Sequence, residues 1–267
     1  MSSILKIQNI HKTFEAGTAN ENHVLKGIDI NMQKGEFISI IGGNGAGKST
    51  LLNSVAGSFT VDSGHIILED KDISEMPANK RAKYISRVFQ DTRMGTASRL
   101  TIEENLSVAM KRGQRRGLSR GIKSKDRDFF EEELKRLDLG LEDRLGMEVG
   151  LLSGGQRQAL TLLMATIVEP KLLLLDEHTA ALDPKTSDMV VGLTNQIVEE
   201  RGISTLMITH NMQHAIDQGN RLIMLNNGRV VVDVSGDEKE NLTVVDLLEL
   251  FQRNSGDEIT DDSLILG

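Results

Sequence analysis

Three short stretches carry residues whose types and spacing could do chemistry on a phosphate. The first is GGNGAGKST at 42–50, which follows the apolar run EFISII and opens the helix-forming stretch KSTLLNSVAG. It fits the spacing G-x-x-x-x-G-K-[ST] in the strand-then-helix context that spacing requires. Gly42, Gly43, Gly45 and Gly47, with Asn44 and Ala46 among them, let the backbone wrap an anion with its N–H groups inward, and the helix start adds a favourable dipole. Lys48 would reach the β- and γ-phosphates of a nucleotide, Ser49 would offer its hydroxyl to Mg²⁺, and Thr50 completes the stretch. A glycine-rich turn that holds Lys-Ser by coincidence is the competing reading, and the flanking strand and helix weigh against it.

The second stretch, KLLLLDEH at 171–178, is an aliphatic strand that ends in two acids. Such a strand is buried on both faces, and its end is where open α/β sheets bind ligands. Asp176 is placed to hold Mg²⁺ through water, and Glu177 to orient and deprotonate an attacking water. Taken without the first stretch, the two acids could simply begin a loop. The third stretch, LLSGGQRQAL at 151–160, precedes a long apolar helix that stops at Pro170. Ser153 and Gln156 have the spacing of a capping box, while the Ser153 hydroxyl and the N–H groups of Gly154 and Gly155 also suit an anion. Both readings can hold together. One chain cannot easily fold this helix start onto its own phosphate loop, so the phosphate it meets would belong to another copy.

The elements that must position these groups follow from pattern. Short apolar runs at 36–41, 65–68, 84–89, 172–175 and 203–208 read as strands, with helical patterns alternating after residue 48. That alternation predicts a largely parallel sheet with crossover helices. Runs at 221–225 and 229–232 flank Asn226-Asn227-Gly228, a hairpin signal. From about 91 to 152 the pattern becomes helical, with Phe130, Leu134 and Leu137 on one stripe, and reads as a helical subdomain inserted into the α/β core. Within it, residues 111–127 hold eight Lys or Arg against one Asp. That segment is either a solvated loop or a contact for anionic headgroups or a partner's acidic loop. The stretch beyond Asn254 has four acids and no base, and reads as a frayed or weakly docked end.

Composition bounds the rest. The 267 residues suffice for one sizeable α/β domain and a smaller subdomain. A net charge of -8 disfavours nucleic acid as a partner, and the absence of cysteine excludes disulfides and thiolate metal sites. No apolar run approaches the ~18 to 20 residues that span a bilayer, and the N-terminus lacks the apolar core of a signal peptide. Any membrane role would come through a partner.

The LSGGQ stretch, taken with the phosphate loop, the Asp-Glu strand end and the spacing between them, resembles the ABC ATPases from about residue 4 to 250. The resemblance implies an α/β fold: a P-loop NTPase core with a mainly parallel sheet, an N-terminal antiparallel β portion and the inserted helical subdomain. The core would take 1–90 and 153–235, the helical subdomain 91–152, and a C-terminal helix with the acidic tail 236–267. It also implies a head-to-tail dimer of two copies with two ATPs sandwiched between phosphate loops and opposing LSGGQ stretches. Phe14 matches the aromatic that stacks on adenine, although a lone Phe near the N-terminus is often core. Gln90, in RVFQD, matches the glutamine that contacts Mg²⁺ or the lytic water, where a plain polar strand end is the alternative. Asp183, in AALDP, matches the aspartate that crosses the dimer interface, and it also fits a helix cap before Pro184. His210, in LMITHN, matches the histidine that contacts the γ-phosphate. His11, His23, His65, His178 and His214 are assigned no chemistry.

By this resemblance the chain is an ATP hydrolase using ATP and Mg²⁺, whose closing and reopening drives an integral membrane permease. A soluble ABC ATPase acting on ribosomes or macromolecular assembly is the alternative. DEHTAALDPKT, with His178 where many importer subunits carry Pro, and LMITHNMQHAIDQGNRLIMLNNG resemble the ATPase components of bacterial importers, some linked to tryptophan or tyrosine uptake. Such a chain would sit on the cytoplasmic face of the membrane, held by its permease, and serve an extracytoplasmic substrate-binding protein indirectly.

Overall fold

The structure is a computed structural model that describes residues 3–114 and 122–255. The middle of the basic segment and the acidic tail lie outside the described residues. In chain order the first elements are β1 (Ser3–Phe14), β2 (Asn22–Gln33), β3 (Phe37–Gly42), α1 (Lys48–Ala56), β4 (Ser63–Leu68), β5 (Lys71–Asp72), α2 (Ala78–Arg81) and β6 (Ile85–Val88). Next come α3 (Ile102–Met110), α4 (Ser124–Lys135), α5 (Gly154–Thr166), β7 (Leu172–Asp176), α6 (Pro184–Arg201) and β8 (Thr205–Ile208). The chain closes with α7 (Met212–Asp217), β9 (Arg221–Asn226), β10 (Arg229–Ser235), α8 (Asp237–Glu240) and α9 (Val244–Ser255). Two compact units result: one from residues up to Arg81, Leu174–Asp176 and residues from Ile203 on, the other from Ala82–Leu173 and Glu177–Gly202. Among the described residues no helix is long and apolar enough to cross a membrane.

The first unit holds an antiparallel sheet of order β2-β1-β4-β5 and a second sheet in which β10, β9, β3 and β8 follow one another, with the end of β7 beyond. All six residues of β3 are buried, as a central strand covered on both faces requires. It pairs in parallel with both β8 and β9. The hairpin signal is realised between β9 and β10, where Asn227 and Gly228 both take left-handed φ values, 48° and 77°, as a tight primed turn demands. In β1 the two-residue alternation breaks at Gln8-Asn9: Asn9 has φ 45°, and the register against β2 shifts between Ile7 and Ile10. Gly64 of β4 lies against this bulge so closely that a Cβ there would stand 2.3 Å from the Asn9 carbonyl oxygen.

Arg81, at the end of α2, anchors the C-terminus of α1. Its side chain is 1% exposed, and its guanidinium donates to the carbonyls of Ser54 (2.7 Å), Val55 (2.8 Å), Met76 (2.6 Å) and Ser74 (2.9 Å). Gly57 makes room for it, since a Cβ at that residue would stand 2.7 Å from Arg81 Nε. Burial pulls the Arg81 pKa down to about 10, so the group stays charged at neutral pH and complements the negative end of the helix.

In the second unit α5 packs against α3, α4 and α6. Phe130, Leu134 and Leu137 are all buried, as the stripe predicted. The C-terminus of α5 is held by two arginines. Arg112 donates to the Ser86 hydroxyl and to the carbonyls of Ala165 (2.8 Å) and Val168, and Arg201 donates to the Thr166 carbonyl (2.7 Å) and to Glu133. At the start of β7, Lys171 N–H donates to the Tyr84 carbonyl at 2.7 Å.

Replacing Arg81 removes a donor from four carbonyls, two of them in the last turn of α1. Arg81→Met is expected to lose ~3 kcal/mol or more of unfolding free energy, because buried acceptors lose charge-assisted bonds. Urea denaturation measures this, and a midpoint equal to that of the native chain would contradict the anchoring role.

Candidate active site

In the first unit the phosphate loop is the turn between β3 and α1. Helices α5, α6 and α7 are capped by side chains of Ser153, Asp183 and Asn211, and α3 by Thr101. Helix α1 differs: its cap is Gly47, with φ 102° and no side chain, and, like α5, α6 and α7, its first turn carries no acid. A helix start with no capping side chain suits an anion supplied from outside. Lys48 begins the helix and is buried, and its ammonium donates to the carbonyls of Gly42 (2.6 Å) and Gly43 (3.1 Å), so it stands at the mouth of the loop. Gly42 has to be glycine, because a Cβ would stand 2.3 Å from the Leu225 carbonyl oxygen on β9. The β9–β10 turn braces the loop from outside, with Gly228 N–H donating to the Ala46 carbonyl at 3.1 Å. Asn44, Gly45 and Ser49 are exposed along the rim, Gly43 and Thr50 are half-buried, and Ala46 is buried beneath them.

Asp176, half-buried, ends β7. Ile40 of β3 pairs with Ile208 of β8, and Thr209 N–H donates to the Ile40 carbonyl at 3.2 Å, so His210 emerges where β3 turns into the phosphate loop. Phe14 closes β1. It is 36% exposed rather than part of the core, and it meets Phe59 edge-to-face at 5.3 Å. The Lys12 ammonium lies 5.5 Å from both ring centroids and is held by Asp62 at 2.8 Å. Sequence reasoning did not find Phe59 or Lys12. The alternation of side chains along β1 could have paired Lys12 with Phe14, but nothing local marks Phe59.

The second unit carries the other candidates. Ser153 caps α5, accepting from Gln156 N–H at 3.2 Å while Gln156 Oε1 accepts from Ser153 N–H at the same distance, the reciprocal box that the spacing suggested. Ser153 and Gly154 are exposed, while Gly155 is buried against α6, where a Cβ would stand 2.2 Å from Thr186 Cγ2. Thr186 N–H also donates to Asp183 Oδ1 at 3.2 Å, so a single residue joins the start of α5 to Asp183. Bonds from Thr186 hold the Asp183 carboxyl below its ordinary range, and Pro184 follows as the first helical residue. Glu177 takes a left-handed φ of 46°, a conformation costing ~1–3 kcal/mol in a residue with a Cβ and concentrated at functional sites. Next to it His178 is buried, 3.0 Å from the Thr194 hydroxyl of α6, in keeping with a packing role. Gln90 follows β6 and is exposed. Gln158, a residue that sequence reasoning passed over, is wholly buried and donates to the Phe89 carbonyl at 3.4 Å.

The ABC transporter family model matches residues 25–180. The chain is 47% identical over 249 residues to a tyrosine transport ATP-binding protein of Clostridioides difficile, covering 93% of this chain and 99% of that one. It is 32% identical over 231 residues to a spermidine/putrescine import ATP-binding protein of Mycoplasma mycoides, covering 86% of this chain and 60% of that longer relative. A dimeric ATP-binding cassette solved in a post-hydrolysis state with ADP and Pi superposes with a TM-score of 0.72 at 29% identity, covering 87% of this chain and 98% of that one. With a family model spanning more than half of it and a relative matching nearly its whole length, the chain belongs to the ABC transporter family, as an ATP-binding subunit that hydrolyses ATP.

Proposed function

We propose that this chain closes on ATP together with a second copy of itself and so drives a membrane permease that imports an amino acid, with an aromatic one favoured. The observation that carries the catalytic half is the bare start of α1, with Lys48 at its mouth and the glycine-walled turn around it. The loop N–H groups and Lys48 would bind the β- and γ-phosphates, and Phe14 would stack on the adenine. Ser49, Asp176 and Gln90 offer a hydroxyl, a carboxylate and an amide oxygen, a hard donor set that suits Mg²⁺. The ion would neutralise charge on the phosphate oxygens. Glu177 would take the proton of the attacking water, while Gln90 and His210 orient that water and the γ-phosphate. Ser153, Gly154, Gly155, Gln156 and Asp183 would come from the opposing copy: Ser153 and Gly154 are exposed at the start of α5, and the Ser153 hydroxyl with the N–H groups of Gly154 and Gly155 would meet the phosphate held by the other chain. Hydrolysis would then remove the group that joins the two copies, and they would part.

Functionally, 1–90 and 153–235 would be the ATPase core, 91–152 the subdomain that engages the permease, and 236–267 an appendage. The chain would lie at the cytoplasmic face of the membrane, with an extracytoplasmic binding protein supplying the solute. The import reading is supported by the name of the C. difficile relative, and a ribosome-acting alternative is not favoured.

Glu177→Gln removes the base and leaves the cradle. It is expected to bind ATP with near-native affinity while kcat falls roughly 10²- to 10⁴-fold, and to be dimeric in light scattering at saturating MgATP. Near-normal steady-state turnover would strip Glu177 of its role, and a monomer under those conditions would contradict the sandwich. For the transport half, tagged chain purified from detergent-solubilised membranes of its source cell is expected to bring an integral membrane protein at near-stoichiometric yield. Recovery of ribosomal proteins instead would contradict it.

A further inference from the structure

Gln158 lies two residues beyond Gln156 on α5, with its side chain wholly inside the protein. Its Nε2 donates to the carbonyl of Phe89, the residue before Gln90, at 3.4 Å, and its Oε1 finds no hydrogen-bond partner among the described residues. Reversing the amide would set two oxygens face to face, so the Phe89 carbonyl fixes its orientation. Three residues on, and so on the same face of the helix, Thr161 meets the continuation of that loop. A Cβ on Gly95 would stand 2.4 Å from Thr161 Cγ2. The Thr161 hydroxyl is engaged within its own helix, donating to the Arg157 carbonyl at 2.8 Å, so its methyl is what faces the loop. Helix α5 thus grips the stretch around Gln90 twice, by a polar bond just before it and by a steric contact five residues after.

A buried amide with one end unsatisfied is costly, and a methionine or leucine would fill the same space without that cost. Packing alone therefore does not account for a glutamine here. The group it serves is the Phe89 main chain, whose direction decides where Gln90 is presented.

We propose that Gln158 is a positioning residue for ATP hydrolysis: it ties the main chain at Phe89 to the helix that begins at Ser153, so that Gln90 and the start of α5 move as one body. The inference rests on the reading that Gln90 acts in hydrolysis.

The test is steady-state ATPase of the full chain as four proteins: native, Gln158→Met, Gln90→Ala and the double variant. Gln158→Met is expected to keep the native KM for ATP, to lose about tenfold in kcat and to need several-fold more Mg²⁺ for half-maximal rate. The double variant is expected to be no slower than Gln90→Ala alone, within about twofold, because a residue acting only through Gln90 has nothing left to position. Losses that multiply in the double variant would overturn the proposal, as would native kcat in Gln158→Met beside a slow Gln90→Ala. Native kcat in Gln90→Ala would instead overturn the reading of Gln90, and this inference with it. Should Gln158→Met not fold, Thr161→Ser removes only the methyl that faces Gly95. It is expected to lower kcat at unchanged KM, and a kinetically native Thr161→Ser would count against the grip.

Discussion

The start of α1 offers main-chain N–H groups to an anion and brings neither a capping side chain nor an acid to compete for them. Everything around it in the first unit serves that arrangement. The fully buried β3 delivers the chain to the turn, and Gly42 lets it pass against the β9 backbone. The left-handed Asn227-Gly228 turn braces Ala46, and Arg81 holds the far end of the helix. A cation at the C-terminus and a phosphate at the N-terminus both favour the same helix dipole, so anchoring α1 and binding nucleotide are complementary demands on one element.

The second unit solves the opposite problem. There α5 is closed at its start by the Ser153–Gln156 box and at its end by Arg112 and Arg201, which makes it a stiff strut that other groups can be hung upon. Thr186 links its first turn to Asp183, and Gln158 links its second to the chain before Gln90. Glu177 sits in a strained backbone conformation at the end of β7, so the direction of its side chain is imposed by the fold rather than chosen locally.

Much of this was legible in the sequence because its causes are local. The phosphate loop, the all-aliphatic β7, the Asn-Asn-Gly hairpin, the Ser-x-x-Gln box and the Phe130–Leu134–Leu137 stripe each declare themselves within a dozen residues, and each forms. The two longest strands were not singled out, and the bulge explains why. Asn9 and Gly27 interrupt the two-residue period of β1 and β2, and the register is restored only by pairing across them. Arg81, Arg112 and Gln158 were equally silent. Their partners include main-chain carbonyls tens of residues away, and a carbonyl has no letter in the sequence. Phe59 is hidden for a similar reason, since it gains meaning only once β1 sets Phe14 beside it.

That each ATP is cleaved between a phosphate loop from one copy and an α5 start from the other can be tested by complementation. One preparation carries Lys48→Ala with its α5 start intact, and the other carries Ser153→Arg with its phosphate loop intact. Each is inactive alone. Mixed, half of the dimers are mixed pairs, and each mixed pair has one whole site, so ATPase activity should return to about a quarter of the native rate. A mixture as inactive as its two components would mean that the groups act within a single chain, and would contradict the shared site.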